Sequence, residues 1–186
     1  MAYPISKFWL YPLCSVLIKR IKGIGNIPTK TPFIATANHE SRWDHLLVLY
    51  PILKKLDKKV HFMAVPTWWY VHEKLYRQWA GAIPLFNPEQ AYREAKELIK
   101  SNEVIAIFPE GRLERKKRRE NPKTGAVRLA IETKTPILPM GINFSYYPFS
   151  STISIGKLIY PKEGRNIKKQ AKDLIEYVYG LRDKKS

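Results

Sequence analysis

Short apolar runs with strand character recur along the chain, and longer amphipathic stretches separate them. The runs are "FIATA" (33–37), "VHFMAV" (60–65), "EVIAIF" (103–108), "PILPMGIN" (136–143) and "STISIGKLIY" (151–160). "EVIAIF" is continuous rather than alternating, the pattern of a strand covered on both faces. Between the runs, "LLVLYPILKKL", "NPEQAYREAKELIKS", "AVRLAIET" and "NIKKQAKDLIEYVYGLRD" read as helices. The second of these signals is best marked: Asn87 caps, Pro88 fits the first helical position and Gln90 completes a capping pattern. Strands that alternate with helices predict an α/β domain with a mostly parallel sheet flanked by helices. A chain of 186 residues without repeats or a linker-like shift in composition suits one such domain.

In open sheets of this kind, ligands gather outside the carboxyl ends of the strands. Two polar clusters fall there: "NHESRWD" (38–44) after "FIATA", and "PEGR" (109–112) after "EVIAIF". In the first, His39 and Asp44 are five residues apart, about 500° of helical rotation, so they would not share a helix face. They meet only if His39 lies in the turn before the helix. Ser41 followed by Asp44 is a capping-box pattern that starts the helix at Ser41 and leaves His39 in the loop. Asp44 then either simply caps the helix or also holds the imidazole. In the second role it fixes the tautomer and stabilises the imidazolium while His39 takes a proton from a hydroxyl. In the second cluster, Gly111 permits close backbone approach to a ligand. Glu110 suits a hydroxyl, and Arg112 offers a fork for phosphate. A tight turn with solvated charges accounts for the same residues.

The charge is lopsided, with 33 Lys and Arg against 16 Asp and Glu, a net +17. Such a surface seeks polyanions: nucleic acid, anionic lipid or phosphorylated metabolites. Nucleic-acid binding requires basic residues interleaved with aromatics on one exposed face. Here the basic runs cluster in "RKKRR" (115–119) and at the two ends, and the aromatics lie in apolar stretches; no nucleic-acid partner is expected. Cys14 is the only cysteine, which excludes an intrachain disulfide framework and a cysteine-rich metal site, and it suits packing or membrane contact.

The N-terminal "YPISKFWLYPLCSVLIKRIK" has an apolar middle closed by Lys19, Arg20 and Lys22. It falls short of the roughly 20 apolar residues that span a bilayer. Residues 1–22 are expected to form an amphipathic interfacial membrane helix, with Phe8, Trp9 and Tyr11 at the interface, ahead of a catalytic domain over 23–186. An ordinary buried helix of the domain is the alternative. "WWY" (68–70) suits either an acyl path or lipid contact, or the core. His45, His61 and His72 lack a comparable setting and are assigned no role.

Taken together, "NHESRWD" and "FPEGR" resemble the first and third motifs of the glycerophospholipid acyltransferase family, which includes the 1-acyl-glycerol-3-phosphate acyltransferases. "KGIGNIPTKTPFIATANHES", "HFMAVPTWWYVHEKLYRQWAGAIPLF" and "KTGAVRLAIETKTPILPMGIN" are similar to the family's flanking segments, in the same order. The resemblance implies a glycerolipid acyltransferase-like fold at the cytoplasmic face of a membrane, peripheral or monotopic. It implies His39 as general base and Asp44 as its support. Glu110, Gly111 and basic residues near them would hold a lysophospholipid acceptor. The donor would be acyl-CoA or acyl carrier protein, as co-substrate, with no metal and no further cofactor. The most direct acceptor is 1-acyl-glycerol-3-phosphate, giving phosphatidic acid; another lysophospholipid or a glycolipid is the alternative.

The chain departs from the family's pattern at two places. Phe86 and Asn87 stand where the second motif has an acidic and a basic residue. Arg112 and Leu113 stand where the third motif has threonine and arginine. Arg112, Arg115 or Lys123 is then expected to meet the acceptor's phosphate. "RKKRR" is read as a solvated basic loop near lipid headgroups, with direct acceptor binding as the alternative.

Overall fold

The computed structural model describes residues 6–30, 32–65, 77, 81–111 and 121–183. Seven strands form one sheet: β1 (Ile18–Lys22), β2 (Ile34–Ala37), β3 (Val60–Ala64), β4 (Ala82–Pro84), β5 (Val104–Ile107), β6 (Ile137–Asn143) and β7 (Ser151–Ile155). Their spatial order is β1-β7-β6-β2-β5-β3-β4. β2 to β6 run parallel to one another, β7 is antiparallel to β6, and β1 is parallel to β7. The expected mostly parallel α/β architecture is therefore the one observed.

Among the described residues, five helices cover the sheet: α1 (Ser6–Leu17), α2 (Asp44–Leu56), α3 (Pro88–Lys100), α4 (Gly125–Thr133) and α5 (Ile167–Asp183). Because strand side chains alternate in direction, each central strand feeds two cores. Ala35, Val104, Ala106, Leu138 and Met140 pack with α1 and α2 on one face. Ile34, Ile105, Ile107 and Ile137 pack with α3, α4 and α5 on the other. This double covering is why "EVIAIF" reads as an unbroken apolar run. Full burial of one such aliphatic side chain stabilises the fold by roughly 1.5–3 kcal/mol.

Local signals behave as their chemistry requires. The Asn87 side chain accepts from the N–H groups of Glu89 (3.0 Å) and Gln90 (3.2 Å), with Pro88 at the first turn of α3. Asn87, which departs from the pattern the resemblance implies, is thus a helix cap. At the N-terminus the expected helix through residue 22 is shorter. α1 ends at Leu17, and Ile18–Lys22 is a strand in register with β7. Leu10 and Cys14 are buried in the core, and burial pushes the Cys14 thiol up to about 12. The helix gives way to a strand after Leu17 because β-branched Ile18 and Ile21 have a sheet edge to complete, and tertiary pairing overrides the helical pattern. Of the two roles open to Cys14, packing is the one observed. Trp68, Trp69 and Tyr70, with His72, lie outside the described residues.

Candidate active site

β2 and β5 are neighbours, with Thr36 opposite Ile107. His39 leaves β2 two residues beyond its end and Glu110 leaves β5 three residues beyond its end, so topology brings the two clusters to one edge. Asn38 fixes the exit from β2. It is fully buried, its Nδ2 donates to the Ile142 carbonyl (2.8 Å), and its Oδ1 accepts from the Ile142 N–H (2.7 Å). One side-chain amide thus mimics a strand's backbone pairing and clamps the loop to β6 immediately before His39.

The helix after this loop begins at Asp44, with Ser41–Trp43 forming a turn, rather than at Ser41 as expected. Ser41 still caps that turn, its Oγ accepting from the Trp43 N–H at 3.1 Å. Asp44 Oδ2 accepts from the N–H groups of Glu40 (2.7 Å) and Ser41 (2.7 Å), and lies 3.1 Å from His39 Nδ1. The two roles open to Asp44 are therefore one arrangement: it closes the turn and holds the imidazole with the same oxygen. A carboxylate only accepts, so Nδ1 carries the proton and Nε2 keeps its lone pair. The His39 side chain is 15% exposed while that of Asp44 is 1% exposed. The base can be reached and its partner cannot.

Aromatic rings pack around His39. Phe108 stacks on its imidazole, with centroids 4.2 Å apart and an interplanar angle of 18°. His45, assigned no role from sequence, stands edge-on to His39 at 5.9 Å. Burial, and then the proximity of His39, lower the pKa of His45. Its ring packs beside the His39 and Phe108 rings.

Glu110 is 3% exposed, more deeply placed than a surface acceptor-binding group. Its Oε1 accepts from the His39 backbone N–H (3.2 Å) and from the Tyr179 hydroxyl of α5 (3.1 Å). Its Oε2 is buried and makes no hydrogen bond among the described residues. Burial raises its pKa, and the hydrogen bonds from backbone N–H groups and Tyr179 offset part of that rise. Gly111 closes the turn with φ +72° and an N–H to the Phe108 carbonyl at 3.0 Å, a conformation that glycine adopts without strain. The Lys123 N–H returns to the Pro109 carbonyl at 2.7 Å, and its side-chain stem lies against Gly111. Arg112 and Arg115 lie outside the described residues.

Tyr179 and Arg182, both on α5, escaped the sequence reading. Arg182 Nη1 bonds Glu40 Oε1 at 2.9 Å, so α5 grips the His39 loop as well as Glu110. This contact requires α5 to press on β6: a Cβ at Gly141 would sit 2.2 Å from the Arg182 nitrogen. The available signal was helical spacing, since Tyr179 falls four residues after Ile175 and one after Val178 on the buried stripe of α5. Nothing in the sequence says that its hydroxyl finds Glu110.

The acyltransferase family model matches residues 19–143. The chain belongs to the acyltransferase family. The matched span takes in His39, Asp44, Glu110, Gly111 and Lys123, and ends before Tyr179. Among characterised relatives, a chloroplastic 1-acyl-sn-glycerol-3-phosphate acyltransferase of Brassica napus is 28% identical over 148 residues, 73% of this chain. The chain spans 40% of that relative's length. The crystal structure of the 1-acyl-sn-glycerophosphate acyltransferase PlsC from Thermotoga maritima superposes over 97% of this chain and 78% of its own. Its TM-score is 0.68 at 23% identity, a likeness of fold. None of these comparisons supports nucleic-acid binding.

Proposed function

We propose that this acyltransferase moves a fatty acyl group from acyl-CoA or acyl carrier protein to the hydroxyl of a lysophospholipid. The first acceptor to test is 1-acyl-glycerol-3-phosphate, which would give phosphatidic acid. The observation that carries the reading is the 3.1 Å contact of His39 Nδ1 with buried Asp44, which leaves Nε2 as a base at the strand edge. Nε2 takes the proton of the acceptor hydroxyl as its oxygen bonds to the thioester carbonyl carbon. The carbon–sulfur bond then breaks, and the thiol leaves with the proton from the imidazolium. Atoms balance without a covalent acyl-enzyme, a metal or a further cofactor.

Glu110 Oε2, buried and without a hydrogen bond among the described residues, is proposed to take an ordered water or a second hydroxyl, since Oε1 is occupied by the scaffold. Lys123, with Arg112 and Arg115 from the sequence, is proposed to meet the acceptor's phosphate. The protein is proposed to work at the cytoplasmic face of a membrane, peripherally or monotopically, with its N-terminal segment in contact with lipid. No helix among the described residues is long and apolar enough to cross a bilayer.

The test is a panel of lysophospholipids offered with labelled acyl-CoA or acyl carrier protein and read by mass spectrometry. Acylated product from at least one acceptor supports the reading, with lysophosphatidate expected first. Donor hydrolysis without acylated lipid overturns it.

A further inference from the structure

The sheet's topology sorts the surface apolar residues. β2 to β6 end at the edge that carries His39, and β7 begins there, with Asn143 opposite Thr152. β1 begins there too, with Ile18 opposite Ser151. Trp43 follows β2, Val65 follows β3 and Phe86 follows β4; they are 39%, 48% and 68% exposed. The β6–β7 connection adds Tyr146 (76%), Tyr147 (79%) and Phe149 (62%) within four residues. Among the described residues the opposite edge, where β1 ends and β2 to β6 begin, carries Ile24 (40%), Tyr160 (65%) and Ile167 (37%), spaced apart along the chain rather than gathered in one loop, and Phe8 (82%) stands on α1.

The aromatic loop is built and anchored, not loose. The Phe149 N–H donates to the Val16 carbonyl at the end of α1 at 2.6 Å. Ser145 and Ser151 brace its base through a hydrogen bond from the Ser145 N–H to Ser151 Oγ at 3.0 Å. Phe149 holds φ +50°, a costly conformation for a bulky side chain, while leaving that side chain in solvent. Glycine and asparagine adopt that conformation more readily. Exposed cations share the same edge: Lys19 on β1, Arg42 in the His39 loop and Lys123 beside Gly111.

We propose that this edge is a seat for an anionic bilayer surface, with the Phe144–Phe149 loop as its aromatic wedge. The inference rests on the proposed lipid acylation, which it extends by saying how the pocket meets its acceptor. Tyrosine and phenylalanine enter the headgroup boundary while the cations meet anionic lipid, so burial and charge act together. His39 opens on the same edge, so an acceptor reaches the base without leaving the interface. The loop follows the last residue matched by the family model.

The test compares the full chain with a Tyr146→Ser, Tyr147→Ser, Phe149→Asn variant, asparagine being chosen because it tolerates positive φ. Vesicles of phosphatidylcholine with and without phosphatidylglycerol serve as the probe, read by flotation. The variant should melt like the parent and bind anionic vesicles about tenfold or more weakly, equivalent to about 1.4 kcal/mol. It should acylate a short-chain acceptor dissolved below its micellar limit at the parent rate, yet lose turnover on acceptor embedded in vesicles. A Tyr160→Ser variant at the other edge should change neither. Unchanged vesicle affinity overturns the wedge. So does an equal loss on dissolved acceptor, which would make the loop part of the pocket. A parent that binds vesicles but acylates no lipid fails the functional reading alone, while the flotation result still decides the wedge.

Discussion

At the scale of single residues, the site depends on side chains that each do two jobs. Asp44 closes a turn and holds His39 through one oxygen. Glu110 braces the His39 backbone and keeps its second oxygen unpaired among the described residues. Its raised pKa has a calculable sign. Between its unfolded and folded values the folded chain binds more protons, so stability falls as pH rises through that window. Glu110→Gln keeps an Oε1 acceptor for His39 and Tyr179 and removes the buried charge. The variant should melt above the parent at neutral pH, with the gap closing below about pH 4, where the parent carboxyl is protonated in both states. Acylation should fall in the same variant. Tyr179→Phe removes a donor that favours the ionised carboxyl, so the Glu110 pKa rises further. If the reaction uses ionised Glu110, the acid limb of kcat/KM moves to higher pH in this variant. A purely structural Tyr179 would lower melting and leave the profile in place.

At the scale of elements, the site is a junction of three strands and two helices, with α2 supplying Asp44 and His45. β2 supplies His39, β5 supplies Glu110, β6 receives Asn38, and α5 reaches both clusters through Tyr179 and Arg182. Asn38→Ala strands the N–H and carbonyl of Ile142, each worth about 1–3 kcal/mol when buried unpaired. Thermal or urea unfolding should show a loss of about 2–4 kcal/mol, and turnover should fall because the His39 loop is no longer clamped. The strands and helices of this junction were legible in sequence because each is a local pattern: apolar runs for β2 and β5, and the Asn87–Pro88 cap for α3. The placement of His39 before its helix was also legible, from the capping chemistry of Ser41 and Asp44. What escaped was decided by pairing between distant segments. Ile18–Lys22 looks helical until β7 is beside it, and Asn38 looks like a loop residue until Ile142 is opposite, 104 positions away. His45 and Tyr179 are ordinary core residues in a helical pattern. Only the fold turns them toward the pocket.

At the scale of the whole molecule, a two-sided core frees one sheet edge for chemistry. α1 and α2 cover one face, α3, α4 and α5 the other, and the strand ends between them carry His39, Glu110, exposed aromatics and cations. Net charge of +17 adds long-range attraction to an anionic surface, screened by salt. This arrangement is the one the proposed acylation at a lipid surface calls for, and the base at that edge is the claim on which the account stands. The most direct measurement follows acylated lipid by mass spectrometry, from labelled acyl donor and lysophosphatidate, for the parent and for His39→Ala. Melting is recorded on both proteins. The account predicts product from the parent and a loss of about 10²–10⁴-fold in a variant that stays folded. A folded His39→Ala protein that acylates at close to the parent rate would contradict it.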